Sequence, residues 1–199
     1  NDYYHGLEPY FELTGMAYQV TPVRSSNGSP RINMDEMYDN LMHRFRFGNV
    51  KQPGIYLDEN VLRMCRTHRM MFAQLSDELI RHNRKEDAVE VLDTCMANFP
   101  LYNVPADYST LQMALCYIQA GASDKALPLL TALADDCVQY VEWGQSIKPS
   151  MRKSIARTMG NQLAMLQEVL RMGYEFELTD ITDRYMEPFS RLSSSVTHR

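Results

Sequence analysis

A cysteine and a histidine lie at a spacing that could place two metal ligands on one face of a helix. Cys65 and His68 are three residues apart, and residues three apart are neighbours on a helix surface. A structural zinc site needs four such ligands, and the sequence has no second close pair of this kind. The pattern therefore favours a core cysteine beside a surface histidine, and we assign no metal site.

Three arginines follow the same spacing. Arg63, Arg66 and Arg69 recur every third residue, which predicts one basic stripe on a helix. Such a stripe could receive an anion or an acidic peptide, but we favour salt bridges on the protein surface. The acidic pairs 35–36 and 58–59 fall at predicted helix starts, where carboxylates complement the helix dipole, so we interpret them as capping residues.

No familiar catalytic motif accompanies these residues. The sequence contains no Gly-rich phosphate loop, no nucleophile elbow and no HExxH motif. We therefore name no catalytic residue and no cofactor. A soluble helical enzyme remains a minor alternative.

The helices that would position these side chains follow a repeated pattern. Large and small residues recur at helical spacing, and an alanine and a leucine follow at fixed offsets, as in tetratricopeptide repeats. The small residues let two helices approach closely. The two copies, shifted by 38 residues, are Phe72-x2-Leu75-Ser76-x2-Leu79 with Ala88-x3-Leu92, and Thr110-x2-Met113-Ala114-x2-Tyr117 with Ala126-x3-Leu130.

This pattern predicts an all-α fold of tetratricopeptide-like antiparallel helix pairs in a right-handed stack, with a short extended or β N-terminal segment. Such repeats run near 34 residues, and the insert at 101–105 accounts for the longer period. We expect an extended segment over 1–30 packed on the helices, and a helical domain over 31–199. The helical domain comprises repeats at about 69–100 and 107–140 and capping helices at 148–192.

Local signals set the element boundaries. The predicted caps are Asn33, Asp58 and Ser123, with Gly48 as a helix stop. Pro188 is expected to strain or break the last helix, and the final pair lacks the small-residue pattern. The predicted elements are a strand at about 16–20 and helices at about 34–47, 58–82, 85–99, 106–119, 123–144, 148–172 and 176–192.

A concave groove between the repeats would be lined by the first helix of each pair. By their phase, Asp77, Arg81, Tyr108 and Gln119 would point into it, so we assign these four as ligand-binding residues. The expected ligand is a protein or peptide. The alternative is that the N-terminal segment fills the groove.

Composition narrows the classes of partner. The net charge of −5 with mixed signs argues against nucleic acid, for which a basic face is expected. No run of 18 apolar residues occurs, so we expect no direct membrane insertion by this stretch. The four cysteines lie in helical apolar patterns and are interpreted as core thiols, although their spacing leaves a disulfide open.

The chain starts Asn-Asp-Tyr-Tyr, without Met or a leader, and we expect a piece of a longer protein. Several blocks resemble the C-terminal soluble region of the bacterial membrane protein O-mannosyltransferase-like family, long catalogued as a domain of unknown function. The resemblance spans about residues 3 to 175. The blocks are GLEPYFELTGMAY at 6–18, VTPV at 20–23, MYDN at 37–40, YLDEN at 56–60 and YNVP at 102–105.

The resemblance implies a tetratricopeptide-like domain that follows the membrane part of a glycosyltransferase. That domain would lie at the periplasmic face of the inner membrane. The family's acidic catalytic residues lie in the membrane part, so this chain would be non-catalytic, and its partners would be an acceptor protein and its own upstream membrane domain. The alternative is an independent tetratricopeptide adaptor with no enzymatic link.

Overall fold

Helices dominate the chain. The computed structural model describes residues 4–197, and side chains over 4–194. It is 69% helical, with seven helices in this described range and a small N-terminal sheet, which confirms the all-α fold with a short β segment. The helices are α1 Met34–Asp39, α2 Glu59–Arg81, α3 Lys85–Asn98, α4 Tyr108–Ala120, α5 Ser123–Ser146, α6 Pro149–Glu175 and α7 Thr179–Thr197.

The chain divides into two compact units. Unit 1 comprises Asn1–Pro105 with Gln119–Gly121, and unit 2 comprises Ala106–Ile118 with Ala122–Arg199. The N-terminal sheet and the first repeat lie in unit 1, whereas most of the second repeat and the last two helices lie in unit 2. The sequence-based boundary near residue 30 stays a prediction.

The sheet of unit 1 is built around a strand that the sequence patterns missed. Strand β1 (Phe11–Leu13) pairs antiparallel with β2 (Tyr18–Val20) and parallel with β3 (Arg31–Ile32). The strand expected at 16–20 is confirmed over 18–20. Three residues are too few to show a clear alternation, yet Phe11 and Leu13 are two residues apart, so they lie on the same face of β1, and both are buried.

Helix α1 begins where the sequence predicted and ends earlier. The Asn33 side chain accepts a hydrogen bond from the Glu36 backbone N–H at 3.1 Å, which confirms the cap. The helix passes into a π-helical turn over Asn40–Arg44, so the end expected near Gly48 is wrong. The π-helical turn begins where the helix contacts the turn between β1 and β2, since the Asn40 amide donates to the Thr14 carbonyl at 2.6 Å.

Helices α2 and α3 form the first repeat as predicted. The Asp58 carboxylate accepts from the Val61 backbone N–H at 2.9 Å and caps α2. Ser76 and Ala88 are fully buried, and the Ser76 hydroxyl lies 3.4 Å from the Ala88 carbonyl. The two helices therefore meet at their small residues, and the large residues of the pattern fill the surrounding core; these are Phe72, Leu75, Leu79 and Leu92.

The second repeat buries its pattern in the same way. All six of its pattern residues are at most 2% exposed; these are Thr110, Met113, Ala114, Tyr117, Ala126 and Leu130. Gly121 has φ +90°, as its predicted turn requires. Ser123, however, is the first residue of α5 and makes no side-chain cap, so that prediction is wrong.

Helix α7 runs through Pro188 without the expected break. Contacts to α5 on both sides of the proline hold it in place. Before the proline, Tyr185 is 2% exposed and its hydroxyl donates to Asp135 at 2.7 Å. After it, Arg191 pairs with Glu142 at 2.6 Å. The helix continues to Thr197, beyond the predicted end at Leu192.

One small residue, Gly173, also lets the last two helices approach closely, although this pair lacks the small-residue pattern of the repeats. A Cβ at Gly173 of α6 would lie 2.9 Å from Thr182 Cγ2 and 3.3 Å from Ile181 Cγ2 of α7. Both α7 residues are largely buried. The contact escaped the pattern because its glycine belongs to no repeat register.

We predict that Gly173→Ala lowers the free energy of unfolding by about 1–3 kcal/mol, because a methyl group overpacks the contact between α6 and α7. The matched control is Gly160→Ala in the same helix, where the new Cβ meets nothing within 4 Å. The control should stabilise by up to about 1 kcal/mol through helix propensity. Urea unfolding followed by circular dichroism measures both, and equal effects would contradict the packing argument.

Candidate functional site

Arg69 organises the most distinctive part of unit 1. Its side chain is fully buried, so the prediction that it belongs to a surface stripe is wrong. The guanidinium donates to the carbonyls of Phe99 at 2.7 Å, Val104 at 2.7 Å and Pro105 at 3.1 Å. A buried charge needs such partners, and these carbonyls fix the loop over 99–105.

The other two arginines of the stripe lie closer to solvent. Arg66 pairs with the exposed Glu59 at 3.2 Å, which is the salt-bridge role predicted for it. Arg63 is exposed and its guanidinium lies 3.4 Å from the Asn60 side-chain oxygen. The stripe therefore splits, because the helix turns Arg69 towards the loop and leaves Arg63 outside.

The loop over 99–105 forms hydrogen bonds to a second loop, at residues 50–52. The Tyr102 hydroxyl donates to the Lys51 carbonyl at 2.6 Å. The Asn103 amide donates to the carbonyls of Val50 at 2.6 Å and Gln52 at 2.8 Å. These bonds secure the segment that connects α1 to α2.

An apolar pocket of about 270 Å³ opens in unit 1 between that connecting segment and the first turns of α2. Aromatic rings form its wall. The Phe47 ring centroid lies 5.2 Å from that of Phe99 and 5.8 Å from that of His68. The lining residues are Arg46, Phe47, Val50, Asn60, Val61, Met64, Cys65, His68 and Phe99.

The pocket is suited to binding an apolar group. Val61 and Met64 are 37% and 51% exposed at its lining, and their burial by a ligand would be favourable. Its polar lining side chains are Arg46, Asn60 and His68, and its lining within the described residues includes no carboxylate. The pocket therefore fits an apolar side chain next to a polar or negatively charged group.

Cys65 and His68 both line this pocket. Cys65 is 3% exposed, and burial raises the pKa of its thiol, with Arg69 and Arg66 partly offsetting the rise. His68 is half-buried, with Nδ1 2.7 Å from the Met64 carbonyl. Within the part of the chain that the structure describes, no three metal-ligating side chains lie together.

The predicted ligand-binding residues lie elsewhere. Asp77 and Arg81 form an ion pair of 2.7 Å on α2. Tyr108 and Gln119 are exposed at opposite ends of α4, about 16 Å apart along the axis. The structure thus brings Asp77 and Arg81 together and separates Tyr108 from Gln119, and the binding role of all four stays a prediction.

Sequence patterns did not indicate the pocket. Its aromatic wall comes from Phe47, in a loop, and from Phe99, at the end of α3, so no single periodicity contains both. The exposed Met64 was the available signal, since it lies outside the apolar stripe of α2. All four cysteines are buried as thiols, which confirms their core placement.

Comparisons with known proteins do not name this site. No protein-family model, curated protein or solved structure matches the chain. Within residues 4–197, no helix is both long and apolar enough to cross a bilayer.

We predict that Arg69→Met lowers the free energy of unfolding by about 3–5 kcal/mol, since the buried carbonyls of Phe99 and Val104 and the partly buried carbonyl of Pro105 lose a charged donor. Arg63→Met on the same helix is the control and should change it by less than about 0.5 kcal/mol. Urea unfolding of both variants tests this. If Arg69→Met were as mild as the control, the loop would be held by something else.

We predict that Cys65 reacts with methyl methanethiosulfonate at pH 8 about tenfold or more faster than Cys95, because the pocket opens onto Cys65 and thiolate availability governs the rate. Cys95 is fully buried, and burial raises its pKa strongly. Burial and Asp136 likewise raise the pKa of Cys137 to about 12. Peptide mapping by mass spectrometry measures each site, and equal rates at Cys65 and Cys95 would contradict the pocket as the route.

Proposed function

We propose that this chain is a non-catalytic, protein-binding helical domain of a membrane-bound glycosyltransferase, and that it holds the acceptor protein at the periplasmic face of the inner membrane. The observation that carries the binding role is the apolar pocket beside His68. The link to a glycosyltransferase rests on the family resemblance.

The positions of the resembling blocks support a shared architecture. The block at 6–18 supplies Thr14, whose carbonyl binds Asn40 of the block at 37–40. The same first block supplies Gly15, where a Cβ would lie 2.9 Å from Phe45. The block at 102–105 supplies Asn103 and two of the three carbonyls that Arg69 holds. These blocks thus supply contacts that connect separate segments of unit 1.

One block also contains an exposed tyrosine that makes no evident contribution to folding. In the block at 56–60, Asp58 caps α2, but Tyr56 is 91% exposed. Asn60 of the same block lines the pocket. An exposed tyrosine close in sequence to an apolar pocket is typical of a protein-binding surface.

The mechanism would be remote binding. An acceptor segment that buries one or two apolar side chains in the pocket gains about 1.5–3 kcal/mol for each. Binding energy from a site away from the chemistry positions the substrate for the reacting centre. The membrane domain would then carry out the sugar transfer.

Membrane fractionation of the natural gene product tests the link to a membrane enzyme. We expect the protein to stay in the membrane pellet after carbonate extraction, because a multi-spanning domain precedes this chain in the resembling family. Recovery in the soluble fraction would exclude the membrane enzyme and leave the independent adaptor.

The binding role is tested with an array of 15-residue peptides tiled from exported bacterial proteins. We predict that Met64→Asp weakens binding of the best peptides about tenfold or more, because it places a charge against the apolar wall. Val23→Asp, at an equally exposed loop position of unit 1, should not. The double variant Asp77→Ala, Arg81→Ala tests the predicted groove separately. If the pocket is the acceptor site, this variant should bind the same peptides as the wild type. If no peptide binds, or if Met64→Asp binds normally, the pocket is not the acceptor site.

A further inference from the structure

The polar side chains at the pocket of unit 1 offer hydrogen-bond donors that the fold does not use. Arg46 lines the pocket, and among the described residues its guanidinium has no hydrogen-bond or ion-pair partner. Asn60 lines the same pocket. Its side-chain oxygen accepts from Arg63 at 3.4 Å, whereas its amide nitrogen donates to no residue that the structure describes. A guanidinium and an amide are therefore available to a ligand.

The carboxylates that the structure describes leave these donors free. Within that part of the chain, the pocket lining includes no carboxylate. The two acidic residues that precede Asn60 in the sequence have partners of their own. Asp58 accepts from the Val61 backbone N–H at 2.9 Å, and Glu59 pairs with Arg66 at 3.2 Å. The pocket therefore lacks the acceptor that its donors match.

Positive charge also acts at the pocket wall, at Cys65. Burial raises the pKa of the Cys65 thiol, and the charges of Arg69 and Arg66 act against that rise. An arginine binds the two oxygens of a carboxylate through parallel N–H···O bonds, and an amide adds a further donor. Free donors in a positive potential thus favour a carboxylate as the polar group of the ligand.

The rest of the wall is apolar, and the space is small. The ring centroids of Phe47 and Phe99 lie 5.2 Å apart, and Met64 is 51% exposed at the same lining. A cavity of about 150 Å³ holds one benzene ring. The pocket, at about 270 Å³, has room for one large apolar side chain and a carboxylate, which indicates that both groups belong to one residue.

We propose that this pocket binds the C-terminal residue of a partner protein. Its large apolar side chain lies against Phe47, Phe99 and Met64, and its α-carboxylate binds Arg46 and Asn60. At a chain end the two groups share one carbon atom, and the chain leaves the pocket in one direction only. An apolar residue beside an internal aspartate or glutamate would place the two groups on different residues and needs two exits. The inference rests on the proposed function, since the partner is the acceptor protein, and it adds which part of the acceptor is recognised.

Paired peptides test the carboxylate. The peptide Ser-Gly-Ser-Gly-Ser-Phe, as the free acid or as the C-terminal amide, is titrated into the whole ¹⁵N-labelled chain, and chemical shifts report the affinity. We expect the free acid to bind at least about tenfold more tightly than the amide, because only the acid accepts charge-assisted bonds from Arg46. A matched free acid ending in serine should bind at least about tenfold more weakly than the phenylalanine peptide, because it buries no ring. Equal affinity of the acid and the amide would overturn the proposal, as would failure of the free acid to bind.

Two variants separate the pocket from net charge. Arg46→Gln should weaken binding of the free acid at least about tenfold and leave binding of the amide unchanged. Asn60→Asp should act in the same way, because it keeps the side-chain shape and the oxygen that faces Arg63 but replaces the donor by a negative charge. Aspartate is favourable in the first turn of a helix, so the circular dichroism spectrum should be unchanged. The control Arg24→Gln removes the same charge from an exposed position outside the pocket lining and should bind like the wild type, and equal losses in Arg46→Gln and Arg24→Gln would overturn the proposal.

The proposed function can fail without this inference, and the reverse also holds. If the amide binds as well as the free acid and Met64→Asp loses both, the pocket holds an internal segment of the acceptor and only the chain-end proposal fails. If the free acid binds as expected while the natural gene product is recovered in the soluble fraction, the chain-end site stands and the membrane enzyme is excluded. The compound 3-phenylpropionate has the same ring and carboxylate without a peptide. If it binds as tightly as the peptide, the pocket takes a small apolar acid and the chain-end proposal fails.

Discussion

The burial of the Arg69 guanidinium is the constraint on which unit 1 depends. Moving a charge out of water costs many kcal/mol unless hydrogen bonds replace its hydration. The carbonyls of Phe99, Val104 and Pro105 provide that replacement. Because these acceptors are backbone atoms 30 to 36 residues away, one side chain fixes both the end of α3 and the loop that follows.

The hydrogen bonds of Arg69 to the loop over 99–105 also help to determine the shape of the pocket. Phe99 presents its carbonyl to Arg69 and its ring to the pocket. The loop that Arg69 holds also anchors the opposite wall, since Asn103 binds the carbonyls of Val50 and Gln52. Stability and binding geometry are therefore coupled here, and a ligand in the pocket would meet walls that are already positioned.

The helices were predictable because their periodicity is local, and the site was not because its contacts are distant. Phe72, Leu79 and Leu92 recur at helical spacing, and all are fully buried. Arg69 follows the spacing of Arg63, which is typical of a surface stripe, and its partners are carbonyls that carry no residue-type signature. The π-helical turn after α1 likewise begins at a tertiary contact, the bond from Asn40 to Thr14, which the local sequence pattern does not indicate.

The unusually long spacing between the two helix pairs indicates the position of the pocket better than the repeated pattern does. Tetratricopeptide pairs recur near 34 residues, whereas the two helix-pair patterns of this chain are 38 residues apart. The extra length lies in the loop over 101–105, which carries two of the acceptors of Arg69 and both anchors of the 50–52 segment. A regular helix pair needs only its small contact residues, whereas this insert makes specific hydrogen bonds to α2 and to the 50–52 segment. In this chain the departure from the period therefore lies beside the pocket, because the inserted loop holds the segment that contains the lining residue Val50.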